Sequence, residues 1–220
     1  MELWVVQKHI DVLLVGLKNT LILASAGISG GLVLGFFVAI AQMQTAIKPL
    51  RWGAVVFKEI FRCSPLIVML IWIFYCLPAI ANIRLPAMWV AIFALIGYGG
   101  ACYGETFRAG LQAIPQEQKD SAKSLSLTPV QSYVYVLIPQ LLRIIIPPTL
   151  SWSISIFKES SIASVIAVNE VMFVTRTLSH QTYLPLEFLT VAALIYYAVA
   201  APLETLVSYF EDRLKSKTAT

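Results

Sequence analysis

Charged side chains inside long apolar runs are the residues of this chain most able to do chemistry. Lys158 and Glu159 interrupt one such run and are followed directly by Ser160 and Ser161. Ionisable residues at the depth of a lipid bilayer are costly and usually functional. A zwitterionic solute needs an anionic group for its ammonium and a cation or N–H donor for its carboxylate. This cluster holds both signs, although an interhelical salt bridge without a binding role would also account for it.

The order of these four residues predicts a break in the helix that carries them. Neighbouring residues on an α-helix point about 100° apart, so Lys158 and Glu159 face one partner only if the helix breaks. Ser160 and Ser161 can satisfy the backbone groups that a break exposes. Broken helices of this kind often build transport sites near the middle of the membrane.

A second set of charges, Arg62, Glu105 and Arg108, lies near the ends of two neighbouring apolar runs. These side chains could pair with each other, bind lipid headgroups or contact a solute. The candidate residues of a substrate path are therefore Lys158, Glu159, Ser160, Ser161, Arg62 and Glu105.

The apolar runs that carry these charges are long enough to cross a lipid bilayer. The 220 residues are 58% hydrophobic and 13% charged, against about 25% charged in a typical soluble domain. Because about 20 apolar residues cross the hydrocarbon core, we predict an all-α membrane protein with five transmembrane helices. The first run continues past Ala24-Ser25-Ala26, so we expect a membrane span there and not a cleaved signal peptide. The predicted spans are residues 20–42, 64–81, 86–107, 144–169 and 183–209.

Positive charges predict the orientation of these spans. Segments 46–62, 105–143 and 210–220 hold eleven Lys and Arg residues, whereas the segments on the other side hold four. Because cytoplasmic loops are enriched in Lys and Arg, we expect residues 1–15 outside the cell and the tail 214–220 in the cytoplasm.

Glycines recur every four residues at Gly27, Gly31 and Gly35, and again at Gly100 and Gly104. Such faces allow helix backbones to approach closely. We interpret them as packing within one bundle, with a dedicated dimer face as the alternative. Since five helices are few to enclose a polar path, we expect two such subunits around one pore.

The internal segment 113–143 is far longer than a turn between two spans requires, and loops of this length are usually functional. Pro115 can open a helix, Glu117 and Asp120 favour its first turns, and Pro129 prevents its continuation. The segment therefore predicts a short amphipathic helix at the cytoplasmic surface, on which another protein could dock.

This segment resembles the cytoplasmic loop of ABC importer permeases, whose pattern is E-A-A, three residues, G, nine residues, I-x-L-P. Here Asp120-Ser121-Ala122 is followed at the same spacing by Ser126 and by Val136-Leu137-Ile138-Pro139. Serine replaces the glycine at a position that favours a left-handed residue at a helix end. By this resemblance, the residues that couple to an ATPase are Glu117, Asp120, Ser121, Ala122, Ser126 and Pro139.

Three further stretches are similar to the polar amino acid permeases of the histidine, glutamine and arginine importer type: KEIFRCSPLIV, YGGACYGETFRAGLQAIPQEQKDSAKSL and FKESSIASVIAV. The resemblance covers residues 16–213 and implies the type I ABC importer transmembrane fold in the bacterial inner membrane. It further implies two cytoplasmic ATPase subunits, a second permease subunit and an extracytoplasmic solute-binding protein. Whether the second permease subunit is identical to this chain or diverged from it stays open. The substitutions in the loop motif, such as Ser126 in place of glycine, hint at a diverged partner.

Other functional classes find less support in the sequence. No G-x-x-x-x-G-K-[ST] phosphate loop occurs, so any ATP must be bound by another chain and no cofactor is expected in this one. Three separated cysteines and two histidines predict no metal site and no catalytic centre. The net charge of +4 is too small and dispersed to indicate nucleic acid. An ion-driven secondary transporter is the main alternative, followed by a membrane-embedded enzyme and a non-transporting assembly protein.

Overall fold

The computed structural model describes residues 3–44, 46–118, 124 and 128–216. These residues are almost entirely helical and contain no strand, which confirms the predicted all-α fold. The helices are α1 (Leu3–Lys8), α2 (Ile10–Met43), α3 (Lys48–Cys63), α4 (Leu66–Ile71), α5 (Leu77–Ala81), α6 (Ala87–Ala113), α7 (Pro129–Gln131), α8 (Ile138–Glu159), α9 (Val171–Thr182) and α10 (Pro185–Ser216). Two π-helical turns, Trp72–Cys76 and Ser132–Leu137, and a 3-10 segment, Ser160–Ile166, interrupt this series.

Four stretches of the described chain are long and apolar enough to cross a membrane. They are Ile10–Met43, Ala87–Ala113, Ser132–Ile166 and Pro185–Phe210. A fifth crossing is possible if Lys48–Cys63 and Leu66–Ala81, which meet at an angle of 106°, are counted together. The total of four or five agrees with the five spans expected from the sequence.

The sharp bend between α3 and α4 lies at Ser64 and Pro65. Proline has no backbone N–H, and it disfavours helical geometry in the residue before it. Ser64 accordingly adopts extended backbone angles, with φ of −88° and ψ of 138°. Charged and apolar residues lie on opposite faces of α3, and none of its residues is buried, which is typical of a helix at a water–lipid boundary.

Helices α2 and α6 pack closely along the predicted glycine faces. A Cβ atom added to Gly31 would lie 3.0 Å from the Cα atom of Gly99. One added to Gly35 would lie 2.9 Å from the backbone nitrogen of Gly104 and 2.7 Å from the Cβ atom of Tyr103. These glycines therefore bring backbones together within one subunit, which confirms their interpretation as packing inside the bundle.

A set of hydrogen bonds around the fully buried Glu170 connects α2, α9 and α10. This residue caps α9, and its carboxylate accepts two backbone N–H groups of the first turn at 2.6 and 2.9 Å. The Tyr196 hydroxyl donates to the same carboxylate at 2.6 Å. One residue further, the backbone N–H of Val171 donates to the Thr20 hydroxyl at 3.1 Å. The start of α9 is thus fixed to two long helices.

Candidate functional site

A cavity of about 420 Å³ opens between α3, α6 and α8. Its wall is mostly apolar but contains one cationic and one anionic side chain, Arg62 and Glu105. The lining residues are Arg62, Cys102, Glu105, Thr106, Ala109, Gly110, Ala113, Ile144, Pro148 and Trp152.

Helical periodicity places these residues along single faces of their helices. On α6 the lining residues recur at intervals of three or four between positions 102 and 113, and on α8 Ile144, Pro148 and Trp152 are four residues apart. Positions three and four apart lie on the same side of an α-helix. The cavity therefore follows from the two helices facing each other, and the carboxyl-terminal end of α3 closes its third side.

Two cationic side chains contact the Glu105 carboxylate. Arg108 donates to its carboxylate at 2.5 and 3.0 Å, and the Lys58 ammonium lies 3.5 Å away. This confirms that part of the predicted charge set pairs structurally. Lys58 also pairs with Glu59 at 2.8 Å.

Arg62 differs from Arg108 and Lys58 because it has no ion pair with another described residue. Arg62 is exposed, and it lines the cavity together with Glu105. Arg108 and Lys58 compensate the charge of Glu105, so among the described residues the charge left without an ion pair at the cavity is that of Arg62. The electrostatics of the cavity favour a solute that presents a carboxylate to Arg62.

The other predicted cluster lies where α8 ends. The α-helix stops at Glu159 and continues as the 3-10 segment Ser160–Ile166. The Ser160 hydroxyl donates to the Phe157 carbonyl at 2.7 Å, and the Ser161 hydroxyl donates to the Lys158 carbonyl at 2.9 Å. Both serines therefore bond to backbone at the change in helix type. The helical stretch runs on to Ile166, so the structure has a change from α- to 3-10 geometry where the sequence predicted a break.

Lys158 and Glu159 point to different surroundings. The Lys158 ammonium forms an ion pair with the Glu204 carboxylate on α10, and Lys158 does not line the cavity. Glu159 is half-buried and lies seven residues, nearly two full turns, beyond Trp152, on the same face of α8. The Trp152 ring packs edge-on against Tyr98 at 6.3 Å. Glu159 thus lies beyond the cavity on the same face of α8 as Trp152, whereas Lys158 faces α10.

The predicted coupling residues are only partly described. Glu117 is exposed, and Pro139 is the second residue of α8. The Gln140 side-chain amide donates to Gln118 at 3.3 Å, which connects the segment after α6 to the start of α8. The predictions for Asp120, Ser121, Ala122 and Ser126 lie outside the described residues.

Two carboxylates with structural partners were not identified from the sequence. Glu204 pairs with Lys158, and Glu170 caps α9. Glu204 could have been noticed as a charge inside the fifth apolar run. No neighbouring residue indicated the role of Glu170, because its partner Tyr196 is distant along the chain. The Thr20 hydroxyl that accepts from Val171 is also distant.

A family model described as "Binding-protein-dependent transport system inner membrane component" matches residues 31–216. The chain belongs to this family. The permease superposes on a crystal structure of an amino acid ABC transporter with histidines at a TM-score of 0.89 and 30% identity, covering 97% of this chain and 99% of that one. The chain is also similar to permease proteins of amino acid transport systems.

The permease is 31% identical over 200 residues to the probable glutamine ABC transporter permease protein GlnM of Bacillus subtilis, covering 91% of this chain and 92% of that protein. It is also 31% identical over 208 residues to the arginine transport system permease protein ArtQ of the same organism, covering 94% of each chain. These matches confirm the resemblance drawn from the loop motif and the three stretches, and they do not favour the ion-driven alternative.

Proposed function

We propose that this chain is the membrane-spanning permease subunit of an ATP-driven importer of polar amino acids. The observation that supports this proposal best is the cavity between α3, α6 and α8, which holds Arg62 and Glu105 in an otherwise apolar wall. Its volume of about 420 Å³ falls within the range of small-molecule sites, roughly 300–1,000 Å³. The names of relatives such as GlnM and ArtQ agree with this class of solute.

The charges suggest how an amino acid passes through the cavity. Arg62 receives the α-carboxylate, because no described carboxylate is paired with it. Glu105 attracts the ammonium, although Arg108 and Lys58 weaken that attraction. Glu159, on the same face of α8 as Trp152, provides the next anionic position for the ammonium. Ser160 and Ser161 lie beside it, and Lys158 acts on this path only indirectly.

Energy for transport comes from ATPase subunits on the cytoplasmic side. Glu117, Asp120, Ser121, Ala122 and Ser126 form the surface that an ATPase contacts, and Pro139 connects that surface to α8. The hydrogen bond between Gln118 and Gln140 supports this connection. A solute-binding protein delivers the amino acid from outside, where residues 1–15 lie, and a second permease subunit completes the pore.

The test is uptake of labelled amino acids into proteoliposomes that contain the permease, its ATPase and its binding protein. Arg62→Gln should lower uptake about tenfold, because a hydrogen bond to a charged group contributes about 1.5 kcal/mol or more and about 1.4 kcal/mol corresponds to a factor of ten. Arg51→Gln on the same helix is the matched control, since Arg51 does not line the cavity. Equal uptake by both variants would contradict the proposed path.

The same vesicles separate ATP-driven from ion-driven transport. Vanadate should stop uptake and an ionophore should leave it unchanged. Uptake without any ATPase, abolished by the ionophore, would overturn the proposal.

A further inference from the structure

An apolar groove of about 670 Å³ lies between the end of α2 and the first half of α3. Phe37 and Ile40 on one side and Leu50 on the other are exposed along it. No described atom lies within 4 Å of a Cβ atom placed on Gly53, which also lines the groove. The groove is therefore open to the surroundings of the protein along its length on α3.

A second depression, of about 410 Å³, lies on the other side of α3 and is cationic. It is lined by Lys48, Arg51, Trp52 and Val55, whose spacings of three and four place them on one face of the helix. Lys48 and Arg51 are exposed and form no ion pair with any residue that the structure describes.

Acidic side chains do not offset these two cations locally. The sequence contains no aspartate or glutamate between Asp11 and Glu59. Glu59 lies two helical turns from Arg51 and Trp52, and its carboxylate pairs with the Lys58 ammonium at 2.8 Å. The depression therefore attracts an anion.

The cationic depression and the apolar groove meet at the start of α3. Lys48 stands in the chain between Ile47 and Pro49, both of which line the groove. Trp52 is 72% exposed beside them, and exposed tryptophans are enriched where a membrane meets water. Helix α3 thus places a cationic surface at the level of lipid headgroups and an apolar groove at the edge of the hydrocarbon.

This combination restricts what can occupy the two sites together. The groove borders α2, which is apolar enough to cross a membrane. A peptide in that groove would bring backbone N–H and C=O groups that lipid cannot satisfy, whereas an acyl chain has no such groups. A phosphate joined to acyl chains supplies both the anion and the apolar body.

We propose that an anionic phospholipid binds to α2 and α3, with its phosphate on Lys48 and Arg51 beside Trp52 and an acyl chain in the groove at Gly53. The headgroup carries a net negative charge, because the ammonium of a zwitterionic headgroup would lie close to the two cations. Basic residues beside a membrane span attract anionic lipids in this way. The inference does not depend on what the permease transports.

Lipid binding to the purified full-length permease in detergent tests the proposal. Native mass spectrometry measures the dissociation constant of the first lipid bound, for phosphatidylglycerol and for phosphatidylcholine with the same acyl chains. We expect phosphatidylglycerol to bind about tenfold more tightly, which corresponds to about 1.4 kcal/mol. Equal binding of the two lipids would overturn the proposal.

The charge requirement is tested by the double variant K48Q/R51Q. It should bind phosphatidylglycerol no more tightly than phosphatidylcholine, and its fold should persist because both side chains are exposed. R84Q/R176Q is the matched control, since it removes two exposed cations outside α2 and α3 and should keep the tenfold preference. The same loss in both double variants would show that net charge alone attracts the lipid, and would refute the site.

The groove is tested by G53L, which fills it without a clash at the Cβ position. This variant should bind phosphatidylglycerol severalfold more weakly than the wild type, because the acyl chain and the leucine compete for one space. Wild-type affinity in G53L would overturn the proposal, because the acyl chain would then lie elsewhere.

A competitor separates a phospholipid from a free phosphate compound. Glycerol 3-phosphate, at the same concentration as the lipid, should leave the bound phosphatidylglycerol in place because it lacks acyl chains. Displacement by this competitor would show that the phosphate alone determines binding, and would overturn the lipid assignment.

Binding is measured without transport, so its outcome is separate from that of the uptake experiment. Arg51→Gln also serves as a control in that experiment. Its vesicles are therefore prepared from phosphatidylcholine, so that neither variant is compared with anionic lipid at the site.

Discussion

The α2–α6 contact and the Lys158–Glu204 ion pair between α8 and α10 connect helices by opposite means. Gly31, Gly35 and their partners on α6 bring backbone against backbone, with no charge involved. The contact between α8 and α10 includes a lysine and a glutamate whose side chains are about half exposed. The comparison indicates that α2 and α6 pack through the shape of their backbones, whereas α8 and α10 are joined by charged side chains at the surface of the chain.

The largest effect should come from filling the α2–α6 contact. Gly35→Leu should lower the free energy of unfolding by about 3 kcal/mol, because a Cβ atom alone would lie 2.7 Å from Tyr103 and 2.9 Å from the backbone of Gly104. Thermal unfolding of the purified protein in detergent measures this loss. Gly53→Leu is the control, since nothing lies within 4 Å of its Cβ position. Equal loss in both variants would mean that the contact does not depend on shape.

The next largest effect should come from the buried cap of α9. Glu170→Ala removes the acceptor of two backbone N–H groups and of the Tyr196 hydroxyl. Leaving these buried donors unpaired should cost about 2 kcal/mol or more of unfolding free energy. Tyr196→Phe, which removes only one of the three hydrogen bonds, should cost about 1 kcal/mol. A larger loss of unfolding free energy in the tyrosine variant would contradict the role of Glu170 as the main acceptor of these hydrogen bonds.

The smallest effect on the stability of one subunit should come from the exposed ion pair. Lys158→Met should change the free energy of unfolding of the monomer in detergent by less than about 1 kcal/mol, because exposed ion pairs contribute little. Thermal unfolding in detergent, compared with the wild type, measures this change. A strongly destabilised variant would remove the contrast between the α2–α6 contact and the exposed Lys158–Glu204 pair.

Local sequence patterns predicted part of this architecture well. Glycine spacing indicated the α2–α6 contact because helical periodicity is local. The order of Lys158, Glu159 and the two serines indicated a break in the helix, where the structure has only a change from α- to 3-10 geometry. Arg62 and Glu105 were identified from charge at the ends of apolar runs. The structure adds that they share one cavity with Trp152.

Other features depend on residues that are far apart in the chain. The partner of Lys158 is 46 residues away, and the hydroxyl that accepts from Val171 is 151 residues away. Such pairs follow from how whole helices pack, which a single sequence does not specify. Residues 170–182 lie between the fourth and fifth predicted spans, and the helix α9 in this segment was not predicted.

Pro147 and Pro148 lie side by side within α8, and Ile144 and Pro148 both line the cavity. Since proline has no N–H to donate four residues back, the carbonyl oxygens of Arg143 and Ile144 lack their usual helical partners. Such oxygens can accept a hydrogen bond from water or from a passing ammonium group without placing a formal charge in the wall. A hydrated solute could thus exchange part of its water shell for backbone at this level of the membrane, and Pro148→Ala should raise the energetic barrier to that exchange.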